Sequence, residues 1–401
     1  MPQVGLNNYF EQFLEKESLF QNKKVLQANY IPEVIPHRKR QMEFVASILA
    51  VSLRNEKPSN LFIYGKTGTG KTTVIHHISE SLIETAKKKD IPLKTIYVNC
   101  KLKKIADTEY RIVAELARIL GQDIPATGLP TDEVYNLFLK SVDKDEQIVI
   151  LILDEIDRLI EKAGDNILYS LTRINSELKK AQLSLVGISN DVRFMENLDS
   201  RVKSSLGEEE VVFPPYNALE LRDILDKRAK LAFRENAVET GVLEKCAAYA
   251  AREHGDARRA LDLLRVAAEV SEREGGVAIS PNHIDRAEER IEKNRVLEIV
   301  QTQPKQSQVV LLSILELIGN TQKKIETGEV FEKYRDICRS IGLNILTQRR
   351  ISDLISELDM LGLINAKVIS KGRYGRTREI YITIPESLLE QIKNTLKEDM
   401  L

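Results

Sequence analysis

Asn60–Ile78 reads NLFIYGKTGTGKTTVIHHI: an apolar run, then glycines and threonines, then helical spacing. Within it Gly65–Thr72 satisfies G-x-x-x-x-G-K-[ST], and it lies after a strand-like stretch and at the start of a helix-like one, the context its chemistry requires. Glycines let successive main-chain N–H groups turn inward around phosphate oxygens, and a helix N-terminus adds partial positive charge. Lys71 then reaches the terminal phosphates and Thr72 can ligate magnesium. The expected phosphate contacts are Gly65, Thr67, Gly68, Thr69, Gly70, Lys71, Thr72 and Thr73.

Such a loop needs an acid for the metal. QIVILILDEID supplies Asp154 and Glu155 directly after a long apolar run. Asp154 is expected to orient Mg2+, and Glu155 to polarise the attacking water as general base. Asp157 reads as a cap or surface residue. LSLVGISND ends another strand-like run with Asn190, placed to hold the water or sense the γ-phosphate at the sheet's carboxyl edge. Together with KTIYVN, these buried runs separated by helical spacing predict an α/β fold, a parallel sheet covered on both faces. After VVFPPY at Val211–Tyr216 the strand signals stop and amphipathic helices follow. The serine and proline of SPNH, Ser280–His283, mark the start of the last of them. A polar joint, Gln301–Gln308, precedes a third section of helices ending in two strands.

The chain has 401 residues, enough for two or three domains, and a net charge of -1 with 30% charged residues, so any basic surface is local. The 3 cysteines, Cys100, Cys246 and Cys338, lie far apart without C-x-x-C spacing, which argues against a zinc site or disulfide framework and suits inert core thiols. With no leader-like N-terminus and no apolar run near the length of a membrane span, about 18 residues, a cytoplasmic protein with no membrane partner is expected.

The local basic surface is C-terminal. In LTQRRISDLISELDMLGLI the positions Ile351, Leu354, Ile355, Leu358 and Leu361 form an apolar helical stripe, and Arg349 falls nearly opposite it, with Ser352 and Ser356 nearby. That outward face, which Arg350 joins, suits a DNA major groove. Gly362 ends the helix and two strands follow, Ile380, Ile382 and Ile384 alternating inward. Between the strands SKGRYGRTRE crowds Lys371, Arg373, Arg376 and Arg378 around Tyr374, a hairpin wing suited to phosphates or a narrow minor groove.

These motifs, in this order, resemble a AAA+ ATPase, and more closely the archaeal replication initiators of the origin-recognition and cell-division-control type. The resemblance covers nearly the whole chain and rests also on YIPEVIPHRKRQMEFVA, LDSRVKSSL, FPPYNALELRDILDKR and GDARRALDLLR. It implies an AAA+ base domain at 1–214, a helical lid at 215–300 and a winged helix at 301–401. It also implies ATP/ADP with Mg2+ as cofactors, and an adenine pocket near Pro36, His37 and Arg38 closed by Tyr216. Arg228 is expected near the nucleotide, Arg258 as the lid arginine reading the γ-phosphate, and Arg201 as a finger offered to a neighbour's nucleotide. Spacing alone does not choose between Arg258 and Arg259; the family match does. The insert carrying DTEYRIVAELARIL and PTDEVYNLFLKSV resembles the family's DNA-touching addition, though its mixed charge fits sheet-covering helices equally well. The implied partners are double-stranded origin DNA, a replicative helicase and related initiator subunits, and the implied location is the nucleoid. The rival readings are a nucleotide-gated winged-helix transcription regulator and a AAA+ motor of the remodeller or clamp-loader kind.

Overall fold

Along Ile148–Asp154 every side chain is buried. Its alternate residues serve two different cores: Ile148, Ile150 and Ile152 pack on one side, Val149, Leu151 and Leu153 on the other. A strand buried on both faces needs helices above and below it. The computed structural model, which describes residues 17–28, 30–101, 108–125, 128–206, 208–318, 325–370 and 376–398, supplies them. The chain forms two compact units, Met1–Ile284 and Asp285–Leu401.

In the first unit β1 (Leu61–Tyr64), β2 (Leu93–Asn99), β3 (Ile148–Asp154), β4 (Gln182–Ser189) and β5 (Glu209–Val212) form a parallel sheet in the order β2-β3-β4-β1-β5. The register sets Tyr64 opposite Ser189, Ile188 opposite Asp154, and Asp154 opposite Asn99. Four strand ends therefore stand level at one edge. Helices α1 (Lys39–Leu49) and α2 (Lys71–Lys88) bury Val45, Leu49, Val74 and Ile75 on one face of the sheet. On the other face lie α3 (Glu109–Ile119) and α4 (Thr131–Val142), burying Ile112, Leu116, Val134 and Phe138, with α5 (Ile156–Ala163), α6 (Asn166–Arg173) and α7 (Ser200–Leu206). The insert's helices thus cover the sheet.

Three amphipathic helices follow, α8 (Ala218–Ala232), α9 (Val242–Arg252) and α10 (Ala257–Arg273). Asn217 and Glu220 cap α8 reciprocally, and the Asp256 side chain accepts from the first N–H groups of α10. Cys100, Cys246 and Cys338 are all buried, and burial pushes the Cys100 thiol up to about 12, keeping it protonated and inert.

Pro281 opens α11 (Pro281–Thr302) at its first helical position. The expected polar joint at Gln301–Gln308 is instead the end of α11 and, from Lys305, the start of α12 (Lys305–Ile318). The physical reason is apolar: Val296, Leu297, Ile299 and Val300 belong to the second unit's core, so the compact division falls inside α11 and not after it. The second unit continues with β6 (Ile325–Glu326), α13 (Thr327–Ile341), α14 (Gln348–Met360), β7 (Ile364–Ser370), β8 (Arg376–Ile382) and α15 (Glu386–Glu398). Its antiparallel sheet runs β6-β8-β7. The short β6 and the closing α15, which buries Leu388, Ile392 and Leu396, go beyond the expected two strands. Gly362, at φ 73, ends α14 as expected, a left-handed position glycine enters without strain. Among the described residues no helix is long and apolar enough to cross a membrane.

Of the expected wing residues, Lys371, Arg373 and Tyr374 lie outside the described residues, and Arg376 is placed only as the first residue of β8. Arg378 points back to α14, donating to the Ser352 carbonyl at 2.8 Å and to Ser356 Oγ. Replacing it by methionine, Arg378→Met, should cost about 1–2 kcal/mol through the lost hydrogen bonds. Urea unfolding followed by circular dichroism checks this, and an unchanged midpoint would show that β8 holds to α14 without it.

Candidate functional site

The loop between β1 and α2 is shaped by what packs behind it. A Cβ on Gly65 would lie 2.3 Å from the Phe213 carbonyl oxygen, and one on Gly68, at φ +71, would lie 1.7 Å from Asp256 Oδ1. Only glycine fits at Gly68, because the first turn of α10 is seated on the loop: Ala257 N–H donates to the Gly68 carbonyl at 3.1 Å. Lys71 is buried, its Nζ donating to the carbonyls of Gly65 (2.7 Å) and Lys66 (2.8 Å) and to Asn190 Oδ1 (2.9 Å). Burial pulls its pKa down to about 8, with Arg258 adding to the fall and Asp154 opposing it.

Opposite the lysine stands the acid. Asp154 Oδ2 accepts from Thr72 Oγ1 at 2.8 Å and from the Tyr97 hydroxyl at 2.7 Å, while Oδ1 accepts from Glu155 N–H at 2.9 Å. A hydroxyl and a carboxylate are the hard oxygen donors by which magnesium is held beside phosphates, so this donor set fits the ion. Burial and the charge of Asp154 push the Tyr97 phenol well above its ordinary value, so it stays a donor. Glu155 sits at φ 54, with Lys101 Nζ 3.8 Å from its Oε2. Asp157, read above as a cap or surface residue, has a larger part: its Oδ1 accepts from Ser189 Oγ (3.0 Å) and from Asn190 N–H (3.4 Å), anchoring the end of β4. Its place in the first turn of the helix that follows the Asp154–Glu155 pair is the signal that could have found it.

Gly68, Thr69, Gly70, Lys71, Thr72 and Thr73 line a cavity of ≈ 450 Å³, the size of a small-ligand site. Asp154, Glu155 and Asn190 line it too, with Pro36, Tyr216, Arg228 and Arg258. Thr67 is exposed and, like Gly65, does not line it. Apolar wall comes from Val34, Ile35, Ile224 and Leu261, and Tyr30, not among the expected site residues, joins them from the start of YIPEVIPHRKRQMEFVA.

His37 and Arg38 stand behind the cavity wall. His37 Nε2 lies 3.2 Å from Asp223 Oδ2. Arg38, 2% exposed, donates from Nε to the Thr69 carbonyl (2.9 Å) and from Nη2 to the Pro214 carbonyl (2.5 Å), its guanidinium 3.7 Å from the Tyr216 ring centroid. Its fork therefore ties the phosphate loop to the segment entering α8, and Arg38 itself is not among the residues lining the cavity. Arg228 lines the cavity while tethering the N-terminal segment through the carbonyls of Val25 (3.1 Å) and Tyr30 (3.4 Å). Arg258 is exposed and lines the cavity, whereas Arg259 Nε pairs with Glu253 at 3.0 Å, so the tertiary structure separates two arginines that spacing left equivalent. Arg201 is off the cavity, forked onto Asp199 at 3.1 and 3.0 Å, and holds that carboxyl down at about 2. In the second unit Arg349 is exposed on α14, while Arg350 lies 3.4 Å from Glu357 Oε1 and the Ser352 carbonyl serves Arg378.

A loop-and-acid site at the carboxyl edge of a β2-β3-β4-β1-β5 sheet, under a helical lid and followed by a winged helix, defines an AAA+ ATPase. Family models agree: residues 54–195 match "AAA domain", 222–289 "Cdc6 AAA+ ATPase-type lid domain" and 298–391 "CDC6, C terminal winged helix domain". The chain is similar to an ORC1-type DNA replication protein of Pyrococcus abyssi, 51% identical over 99% of this chain and 94% of that one. It is also similar to an ORC1-type DNA replication protein 1 of Methanosarcina mazei, 50% identical over 98% and 94%. Among solved structures, that of the Aeropyrum pernix ORC1 protein in complex with DNA superposes with a TM-score of 0.84 at 45% identity, covering 96% of this chain and 98% of that one. The chain belongs to the family of ORC1-type DNA replication proteins.

The buried ammonium makes a test of the site that needs no ligand. Because the folded pKa of Lys71, about 8, lies below its ordinary 10.5, the unfolded chain binds the extra proton between those values. Below the folded value both states are charged and the native state bears the full cost; as pH rises from there, that cost is relieved. From about pH 7.5 to about pH 9.5 the wild type should gain about 2 kcal/mol of stability over Lys71→Met. Urea unfolding of both proteins at the two pH values measures the difference, and parallel pH responses would contradict the assignment.

Proposed function

We propose that this chain is an ATP-switched DNA replication initiator that binds origin duplex DNA through its winged helix and the helices inserted in its base. One observation carries the switch: Arg258 of the lid lines the same cavity as Lys71, Asp154 and Asn190 of the base. A terminal phosphate bound there touches both parts, and its loss releases one of them. Lys71 and Arg258 hold the phosphates, Glu155 aligns and deprotonates the attacking water, and Asn190 keeps the lysine in place. Magnesium, held by Thr72 and Asp154, would neutralise charge on the phosphate oxygens. Tyr216 closes the cavity, with Pro36 at its wall.

Turnover is slow in this reading. The finger arginine, Arg201, comes from a neighbouring copy or a related initiator subunit, and phosphoryl transfer without such a finger loses about 10³ to 10⁵ in rate. Its exposure and its position off the cavity support a role in trans. ATP binding and slow hydrolysis then set how the chain sits on DNA and assist loading of a replicative helicase, in the cytoplasm at the nucleoid. Arg349, exposed on α14, reads a base edge, and the wing's Lys371, Arg373 and Tyr374 with Arg376 approach the backbone; support for DNA comes from the DNA complex of the Aeropyrum relative.

Three measurements test the reading. Glu155→Gln should retain ATP on a filter yet release no phosphate, and wild-type turnover should rise with protein concentration; fast hydrolysis independent of concentration would overturn the switch. Arg349→Ala should weaken specific duplex binding by about 1–3 kcal/mol while sparing nonspecific binding. Equal loss on all sequences would make Arg349 a phosphate contact.

A further inference from the structure

Asp154 is held by more than its partners on the phosphate loop. The Tyr97 hydroxyl, from the neighbouring strand β2, donates at 2.7 Å to the same oxygen, Oδ2, that Thr72 Oγ1 reaches at 2.8 Å. The other oxygen, Oδ1, accepts the Glu155 main-chain N–H at 2.9 Å. A carboxylate with one donor fixed on each oxygen cannot swing about its terminal torsion, which is otherwise broad. Tyr97 is itself gripped: its ring lies 4.3 Å, centroid to centroid, from that of His76, which stands on α2 one turn beyond Thr72. The phenol is thus wedged between the helix that carries one expected metal ligand and the strand that carries the other.

We propose that Tyr97 is a positioning residue for divalent-cation binding: its hydroxyl locks the Asp154 carboxylate so that Asp154 and Thr72 present their oxygens to one ion. This rests on the reading of Thr72 and Asp154 as the magnesium ligands. Oδ2 thus carries two donors, the Tyr97 phenol and the Thr72 hydroxyl. When the Thr72 hydroxyl leaves that oxygen to face an ion, the carboxylate keeps a donor on each side and stays in plane. Ordering of the Asp154 carboxylate is then complete before the ion arrives, which is how supporting groups around a metal raise its affinity. Phenylalanine at this position keeps the ring against His76 and removes only the donor.

The test compares wild type, Tyr97→Phe and Asp154→Asn by equilibrium binding of ATP, first in EDTA and then across a titration of MgCl2, with thermal melting of each protein alongside. Tyr97→Phe should keep the EDTA affinity of wild type and lose a few degrees of melting temperature through one missing hydrogen bond, while the magnesium concentration that half-completes the metal-dependent change in ATP binding rises about tenfold. Hydrolysis should be rescued in Tyr97→Phe by raising magnesium, and not in Asp154→Asn. An unchanged magnesium midpoint in Tyr97→Phe, with Asp154→Asn shifted, overturns the role of the phenol and leaves the metal ligands standing. A lowered melting temperature with an unchanged midpoint assigns the hydroxyl to stability and likewise overturns it. No shift in Asp154→Asn either removes the metal reading itself, and the role of Tyr97 with it.

Discussion

A lysine ammonium taken out of water is the constraint on which the base depends. Lys71 is held by two main-chain carbonyls of its own loop and by Asn190, and burial costs it enough to bring its pKa to about 8. The arrangement exists only because β4 lies beside β1, so that the residue after Ser189 reaches the residues after Tyr64. Three acceptors compensate part of the burial cost, because a buried charge is tolerable only where its donors are satisfied.

Around that cation the loop is clamped from outside. Asp256 at the start of α10 leaves no room for a side chain at Gly68, and Arg38 bonds the Thr69 and Pro214 carbonyls at once while stacking on Tyr216. A buried guanidinium that satisfies carbonyls from two elements couples their positions, since moving either leaves an unpaired buried donor. The phosphate loop, the segment entering α8 and the first turn of α10 are therefore bonded to one another. Arg258 lines the cavity while Arg259, its neighbour around the helix, pairs with Glu253.

The second unit solves a separate problem with the same economy of means. Its core joins residues from α11 through α15, and Arg378 ties the central strand β8 back to α14. The exposed surface that remains on α14 is narrow, with Arg349 at its first turn while Arg350 is drawn toward Glu357. A net charge of -1 over the chain is compatible with such a surface, because screening makes local charge the quantity a polyanion senses.

Much of this is written in the residues alone. The unbroken apolar run of Ile148–Asp154, the loop Gly65–Thr72 and the stripe Ile351, Leu354, Ile355 and Leu358 follow from the residues, because a strand covered on both faces needs apolar side chains throughout, a helix buries one face at its own period, and the phosphate loop needs its glycines in sequence; Leu361, expected to extend the stripe, lies past the end of α14 and is exposed. Hydrophobic runs said where the strands are and not how they are ordered. That Asn190 meets Lys71, that Asp157 braces β4, that Tyr97 seizes Asp154, and that Arg38 turns away from the cavity while Tyr30 enters its wall are decided by which strands and helices become neighbours. α11 shows the same limit: its polar end looked like a joint, yet its apolar side chains found a core to fill in the following unit. Local pattern determines elements because it acts through adjacent bonds. Side-chain roles at a site were settled only by packing, because hydrogen bonds and burial join residues far apart along the chain, and spacing carries no record of that distance.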